Sequence, residues 1–138
     1  MGRRKAFDMR EALNRQKGKN PRWIYNRPDG RPAPLDDERA EQFRRALPET
    51  DYVVSLFRAM SHETRLSLLW FLTLGEWCVH DLAALLGASA SNTSHHLRLL
   101  RVMRLVKGKK AGRRVLYSLD DEHVRGLLIQ AFEHANHS

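Results

Sequence analysis

The sequence predicts a mainly α-helical domain with one β-hairpin, an α+β fold class, from three observations. Apolar residues recur at helical spacing in several short runs between residues 36 and 100. The following stretch alternates apolar and polar residues on either side of a glycine, which is the period of paired strands. Residues 119–138 then return to helical spacing. A chain of 138 residues is long enough to bury the core of one such domain.

Charge divides the chain into two regions. Residues 1–34 carry ten Lys or Arg against three acidic residues, and they contain four of the five prolines. Residues 35–138 are nearly balanced, with fourteen basic and thirteen acidic residues. We therefore expect a basic, mobile arm over residues 1–34 and one folded domain over residues 35–138. The arm either contacts DNA phosphates or only keeps the protein in solution, and the net charge of +8 favours a polyanionic partner.

Several classes of protein are disfavoured by composition. Cys78 is the only cysteine, which excludes an internal disulfide framework and fits a reducing cytoplasm. The longest apolar run, residues 66–74, is too short to span a membrane, and no apolar segment follows the basic N-terminus as in a secretory signal. No catalytic constellation is present. We expect a cytoplasmic protein that is neither membrane-bound nor an enzyme.

Three helices are predicted before the most informative stretch. The first follows Asp36 and is stopped by Pro48, and the second opens at Thr50. Ser61 is the predicted N-cap of a third helix, which ends at Gly75. Each has apolar residues on one face, as helices that pack on a shared core do.

The next two helices form a helix-turn-helix pattern. A short helix over residues 79–86 is closed by Gly87, and Ser89 is a good N-cap for the helix that follows. Thr93, Leu97 and Leu100 face inward on this second helix. Its outward side chains are small polar groups, a histidine and an arginine, which suit base edges and phosphates in a major groove. These predicted DNA-binding residues are Ser91, Asn92, Ser94, His95 and Arg98.

A β-hairpin follows the helix-turn-helix. Its strands are predicted over residues 104–110 and 113–119, separated by Ala111 and Gly112. A basic hairpin in this place predicts a wing against the DNA backbone, so the fold is a winged helix-turn-helix that binds double-stranded DNA. A charged hairpin that only faces solvent is the alternative. The cations near its tip are Lys107, Lys109, Lys110, Arg113 and Arg114.

Residues 119–138 predict an amphipathic helix that carries two pairs of metal-ligating side chains. Asp121 and His123 form one pair at its start, and His134 and His137 form the other near its end. An Asp121 carboxylate placed at the helix start can turn toward His123. The eleven residues from His123 to His134 span roughly 16 Å on a helix, so one metal ion cannot reach both pairs.

Two antiparallel copies of this helix would bring the two pairs together. A two-fold homodimer would bury both apolar stripes and form two identical sites, each with three imidazoles and one carboxylate. This donor set suits tetrahedral Zn(II), and Co(II) or Ni(II) are also possible. An ordinary surface helix with histidines on its polar edge has the same spacing, so the pattern by itself leaves both interpretations open.

Two stretches of the chain resemble a known family. Residues 78–121, CVHDLAALLGASASNTSHHLRLLRVMRLVKGKKAGRRVLYSLDD, resemble the winged-helix core of the ArsR/SmtB metal-sensing repressors. Residues 61–72, SHETRLSLLWFL, resemble the helix that precedes this core. The resemblance covers about residues 47–138, and its most specific part is the run SNTSHHLRLL followed by RLV and a glycine-centred wing.

The C-terminal stretch is similar to the zinc- and cobalt-responsive repressors of the CzrA/SmtB type. The similarity rests on YSLDDEHV and QAFEHANH. The metal ligands of that type match Asp121, His123, His134 and His137 here. The resemblance implies a homodimer, paired through its N- and C-terminal helices, that binds a palindromic operator without metal. It also implies that zinc binding across the dimer interface releases the DNA.

The chain departs from the family in one respect. Some relatives have a second, thiol-rich metal site that uses Cys or His from the N-terminal arm, but residues 1–61 contain neither. Cys78 is therefore expected to be a small, semi-buried residue at a helix start.

One alternative is a winged-helix regulator that responds to a non-metal or thiol-redox signal. A zinc hydrolase is disfavoured, because four protein ligands would close the coordination shell.

Overall fold

A computed structural model of the protein describes residues 35–137, and the predicted arm of residues 1–34 lies outside this range. The described part is mainly helical, with one two-stranded antiparallel sheet. None of its helices combines the length and the apolar character of a membrane span. The elements are α1 (Asp37–Ala46), α2 (Asp51–Met60), α3 (Glu63–Leu74), α4 (Val79–Leu86), α5 (Ala90–Val102), β1 (Val106–Ala111), β2 (Arg114–Leu119) and α6 (Glu122–Asn136).

Helix α1 has the boundaries that its sequence predicts. The Asp36 carboxylate accepts a hydrogen bond from the Arg39 N–H at 2.8 Å, which caps the first turn. The helix ends at Ala46, and Leu47 is extended, because helical backbone angles are disfavoured at a residue that precedes a proline. None of its residues is buried.

Residues 50–137 form a compact unit, and leucines make up most of its core. Helix α3 contributes most to this core, and α5, both strands and α6 add further residues. Each fully buried leucine adds about 1.5–3 kcal/mol of hydrophobic stabilisation over an exposed one. The apolar residues with almost no exposed surface are Leu68, Leu69, Leu72, Leu82, Leu97, Leu100, Leu105, Val106 and Leu128.

The start of α3 differs from the prediction, because Ser61 is not its N-cap. The Ser61 N–H instead donates to the Phe57 carbonyl at 2.9 Å, so this residue closes the C-terminus of α2. His62 caps α3, and its Nδ1 accepts a hydrogen bond from the Thr64 N–H at 3.2 Å. The two helices follow each other so closely that the predicted cap is already used to end the first one.

The connection between α4 and α5 has the predicted chemistry. Gly87 adopts a left-handed conformation with φ of 63°, which a glycine accepts without steric cost. The Ser89 hydroxyl then accepts a hydrogen bond from the Asn92 N–H at 3.0 Å and begins α5. The helix-turn-helix prediction is confirmed.

The hairpin is also present, but its turn is shifted by one residue. Ala111 pairs with Arg114 across the strands, so the two-residue turn consists of Gly112 and Arg113 rather than Ala111 and Gly112. The φ of 64° at Gly112 explains the register, because the first turn position of such hairpins requires a positive φ. Trp77 extends the sheet through an isolated bridge to Tyr117, which the sequence did not predict.

Candidate functional site

Helix α5 presents one polar face and one buried face. Thr93 is fully buried, and its hydroxyl donates to the Ser89 carbonyl at 2.8 Å. The inward positions Leu97 and Leu100 are also buried, as predicted. Of the predicted DNA-binding residues on this helix, Ser94 is half-buried because it lies at the edge between the two faces. The other four are exposed: Ser91, Asn92, His95 and Arg98.

The hairpin carries an exposed row of cations. Lysines and arginines occupy outer positions on both strands and in the turn, where their ammonium and guanidinium groups face solvent. A flexible cationic group of this kind binds phosphate without reading sequence. All five residues predicted for the wing are exposed: Lys107, Lys109, Lys110, Arg113 and Arg114.

A buried histidine on α5, the predicted recognition helix, was not identified from the sequence. His96 is 7% exposed, and within residues 35–137 its buried Nδ1 has no hydrogen-bond partner. Its ring centroid lies 4.9 Å from that of His62 and 5.8 Å from that of His95. Burial lowers the pKa of His96, and the neighbouring His62 and Arg65 lower it further. Its spacing from the buried Thr93 and Leu100 was the available signal, because residues three and four apart share one helix face.

The start of α6 brings two of the predicted metal ligands together. Asp121 has an extended backbone, and its Oδ1 accepts a hydrogen bond from the Val124 N–H at 3.0 Å. Its Oδ2 lies 3.5 Å from Nδ1 of His123, and both side chains are exposed. The Val124 N–H is the main cause of the lowered pKa of Asp121, and the hydrogen bond with His123 lowers this pKa further.

The second predicted pair lies at the other end of the same helix. His134 falls in the last turn of α6 and His137 is its C-cap, and both are exposed. Among residues 35–137, no three potential metal ligands lie close together. One protomer therefore brings Asp121 next to His123 but does not assemble all four residues.

The apolar face of α6 is largely uncovered within one protomer. Leu128 is the only buried residue of this helix, whereas Leu127 and Ile129 are each 41% exposed. Phe132 lies beside Trp70 of α3, with ring centroids 6.5 Å apart, and Trp70 is itself 40% exposed. Helix α2 exposes further large apolar side chains, namely Tyr52, Val53, Val54 and Phe57.

Cys78 is a buried residue at the start of α4. It occupies the N-cap position and is 5% exposed. Its thiol donates a hydrogen bond to Oδ2 of Asp81 at 3.1 Å. The expected position at a helix start is confirmed, but Cys78 is buried rather than semi-buried.

Comparison with known proteins identifies the family. The model of the bacterial regulatory protein arsR family matches residues 62–107. The transcriptional regulator NmtR of Mycobacterium tuberculosis is 41% identical over 112 residues, which span 81% of this chain and 82% of NmtR. The chain belongs to the ArsR family. A homologue of the cadmium resistance regulatory protein CadC from Staphylococcus aureus is 46% identical over 83 residues, covering 59% of this chain and 69% of that protein.

Solved structures agree with the ArsR-family assignment. The solution structure of apo-NmtR has 38% identity and a TM-score of 0.56, covering 83% of this chain and 87% of NmtR. The homodimeric winged helix-turn-helix domain of Mb0332 from Mycobacterium bovis has 27% identity and a TM-score of 0.58, covering 77% and 95%. This ArsR-family chain therefore has a winged helix-turn-helix fold, and it is a DNA-binding transcriptional regulator rather than an enzyme.

Proposed function

We propose that this protein is a metal-responsive repressor that binds double-stranded operator DNA as a metal-free homodimer and releases it when Zn(II) binds. Co(II) and Ni(II) are alternative metal ions for the same site. The coordinating residues are Asp121 and His123 of one protomer with His134 and His137 of the other. The observation that carries the proposal is the Asp121 carboxylate turned toward His123 at the exposed start of α6.

The donor chemistry fits this metal. A carboxylate oxygen with three imidazole nitrogens is a usual ligand set for tetrahedral zinc, and all four side chains are exposed. The CadC homologue is named for cadmium resistance. A thiolate-rich cadmium site does not fit this chain, because its one cysteine is buried and hydrogen-bonded to Asp81.

The proposed homodimer follows from the uncovered apolar face of α6. A helix with one buried residue and large exposed apolar side chains is stabilised when a second apolar surface covers it. In an antiparallel two-fold pair, the start of one α6 lies beside the end of the other, which unites the two ligand pairs. The Mb0332 domain is described as homodimeric.

DNA binding is assigned to α5 and the wing. Ser91, Asn92, His95 and Arg98 lie on the exposed face of α5 and would reach base edges and phosphates, with Ser94 at the edge of this face. The wing cations would contact the adjacent backbone. A dimer would place its two recognition helices in successive major grooves, about 34 Å apart.

Release of DNA by zinc requires zinc to bind more tightly to the free dimer than to the DNA-bound dimer. Operator DNA must then weaken zinc binding by the same factor, because the coupling is reciprocal. Histidine ligands coordinate only in their neutral form, so mild acid should release zinc and oppose derepression.

Two substitutions test the assignment with a labelled operator from the gene's own promoter, followed by fluorescence anisotropy during a zinc titration. The wild-type complex should dissociate at about one zinc per protomer, the stoichiometry of two sites in a two-fold dimer. Asp121→Asn keeps a side chain that caps α6 but removes the carboxylate, and His134→Ala removes one ligand. Both should bind the operator without metal and fail to release it with zinc.

The matched control is His80→Ala, which removes an exposed histidine of α4 and should respond to zinc like the wild type. Normal zinc-driven release by His134→Ala would contradict the ligand assignment. Operator binding that zinc leaves unchanged in the wild type would support a regulator of a non-metal or thiol-redox signal instead.

A further inference from the structure

Arg125 connects the start of α6 to the end of α3. Its guanidinium Nη1 donates a hydrogen bond to the backbone carbonyl of Thr73, fifty-two residues earlier in the chain. The Arg125 side chain is one-third exposed, and its Nε also lies 3.5 Å from Oε1 of Glu122, a residue that is almost fully exposed. Arg125 lies one helical turn after Asp121, and its N–H donates to the Asp121 carbonyl.

The Thr73 carbonyl is one of the last four in α3, and these have no donor within the helix. A second carbonyl of the same group, that of Phe71, accepts a hydrogen bond from the Trp77 indole at 2.9 Å. A cation at this helix end also interacts favourably with the negative end of the helix dipole. The C-terminus of α3 is therefore closed in part by a side chain that belongs to α6.

Helix α3 lies between this contact and the recognition helix. Its buried Leu68 and Leu72 belong to the same core cluster as Leu97 and Leu100 of α5. Close-packed side chains transmit a displacement to their neighbours rather than absorb it. A shift at the start of α6 would thus pull on the end of α3, and through the shared core it would reach α5.

We infer that Arg125 is a positioning residue that couples the proposed metal site to the DNA-reading helix. It is not a metal ligand, and nothing in its chemistry suggests one, because a guanidinium has no lone pair to donate. The inference rests on the proposed function, since it names the element through which the same site regulates DNA binding. The charge-assisted bond to Thr73 is the contact that would differ between the two states.

Three variants separate this role from simple structural support. Arg125→Met removes the donor and keeps most of the apolar stem, Arg125→Lys restores one cationic donor, and Glu122→Gln removes only the exposed ion pair. For each full-length variant, three quantities are measured: the zinc affinity of the free protein, the operator affinity without metal, and the operator affinity with saturating zinc. Thermal unfolding checks that each variant is folded.

We expect Arg125→Met to keep its zinc affinity and its metal-free operator affinity within about twofold, yet to reduce the zinc-induced loss of operator affinity about tenfold, the equivalent of one charge-assisted hydrogen bond. Arg125→Lys should recover part of this loss, and Glu122→Gln should resemble the wild type. Recovery by lysine would distinguish a directed bond from the packing of the arginine stem.

Two results would overturn the inference while leaving the proposed function intact. In the first, Arg125→Met releases DNA on zinc binding as fully as the wild type does. In the second, Arg125→Met loses zinc affinity as much as it loses coupling, which would make Arg125 a support for the ligand pair only. A wild-type protein that binds the operator but ignores zinc would remove the proposed function, and the inference with it.

Discussion

The DNA-reading region, which consists of α4, α5 and the hairpin, differs from the C-terminal helix α6 in how much of its inward-facing surface is buried within one protomer. In α4, α5 and the hairpin, the inward residues are buried, and Ser89 and Gly87 provide the hydrogen bonds and the backbone conformation that the turn needs. Helix α6 has an equally good N-cap in Asp121, but only Leu128 is buried along its fifteen residues. The first region buries its inward-facing residues within one protomer, whereas α6 leaves Leu127 and Ile129 on its surface and the two predicted metal-ligand pairs at opposite ends.

This difference indicates a division of roles. A recognition helix must be held rigidly to read base edges, and a dense core provides that rigidity. A helix that senses a signal must instead be able to change its contacts. The stability of its packing must therefore depend on whether another protomer or a metal ion is bound to it. The apolar face of α6 and the two predicted ligand pairs would have this property, because in the proposed dimer a second copy and a metal ion complete them.

The largest expected effect is on stability, and it contrasts one leucine from each region. Leu100→Ala should lower the free energy of unfolding by about 2–5 kcal/mol, because it leaves a cavity in the shared core. Leu127→Ala should change the stability of the folded protomer by less than about 0.5 kcal/mol and instead weaken dimer association. Urea unfolding measures the first effect, and sedimentation at several protein concentrations measures the second. Unchanged association in Leu127→Ala would place the dimer interface elsewhere.

The wing should affect DNA affinity without affecting zinc. Lys110→Ala removes one exposed cation, so the operator affinity should fall several-fold and the salt dependence of log K should become shallower by about one unit. Zinc affinity in the free protein should stay the same. Arg58→Ala removes an exposed cation from α2 and serves as the control. Equal losses of affinity in the two variants would argue against a wing that contacts DNA.

Two serines test where the structure places the helix caps. Ser89→Ala should destabilise the protein by about 1 kcal/mol, because the Asn92 N–H loses its acceptor. Ser61→Ala should be nearly neutral, since His62 rather than Ser61 caps α3. Thermal unfolding of both variants measures the difference. Equal destabilisation by the two substitutions would contradict the capping of α5 by Ser89 and of α3 by His62.

The smallest expected effect is a loss of stability in mild acid that originates at His96. Burial lowers the pKa of His96, so the folded state favours the neutral ring. The stability that depends on the neutral ring is fully present above about pH 6.5, the unfolded value, and is lost as the pH falls toward the folded pKa. Metal-free His96→Leu should therefore lose less thermal stability than the wild type between about pH 7.5 and about pH 5, the range in which histidine titrates.

The control for this experiment is His80→Leu, because His80 is exposed on α4. It should follow the wild-type dependence on pH. If the thermal stability of His96→Leu and of the wild type fell in parallel as the pH decreased, another group would be the one that titrates in this range.

Much of the fold could be predicted from the sequence because its signals are local. Helix ends depend on residues within one turn, so Asp36, Gly75, Gly87 and Ser89 were sufficient to place them. The buried face of α5 followed from the spacing of Thr93 and its neighbours. The pairing of Asp121 with His123 was also local, since an extended residue directly before a helix can turn its side chain toward the first turn.

Other features depend on groups that are distant in the chain or shared between neighbouring elements, and only the tertiary structure decided them. Ser61 is not the N-cap of α3 as predicted, because it is already the C-cap of α2. Within residues 35–137, the buried Nδ1 of His96 has no hydrogen-bond partner, and burial together with the neighbouring His62 and Arg65 lowers the pKa of this residue. The contact from Arg125 to Thr73 joins residues that no periodicity relates. Composition and short-range spacing in the sequence predicted the side chains proposed to bind DNA and metal. The packing of α3 against α5 and α6 could not be predicted in this way, and the proposed coupling between the two sets depends on it, because coupling requires contacts in space rather than proximity in the chain.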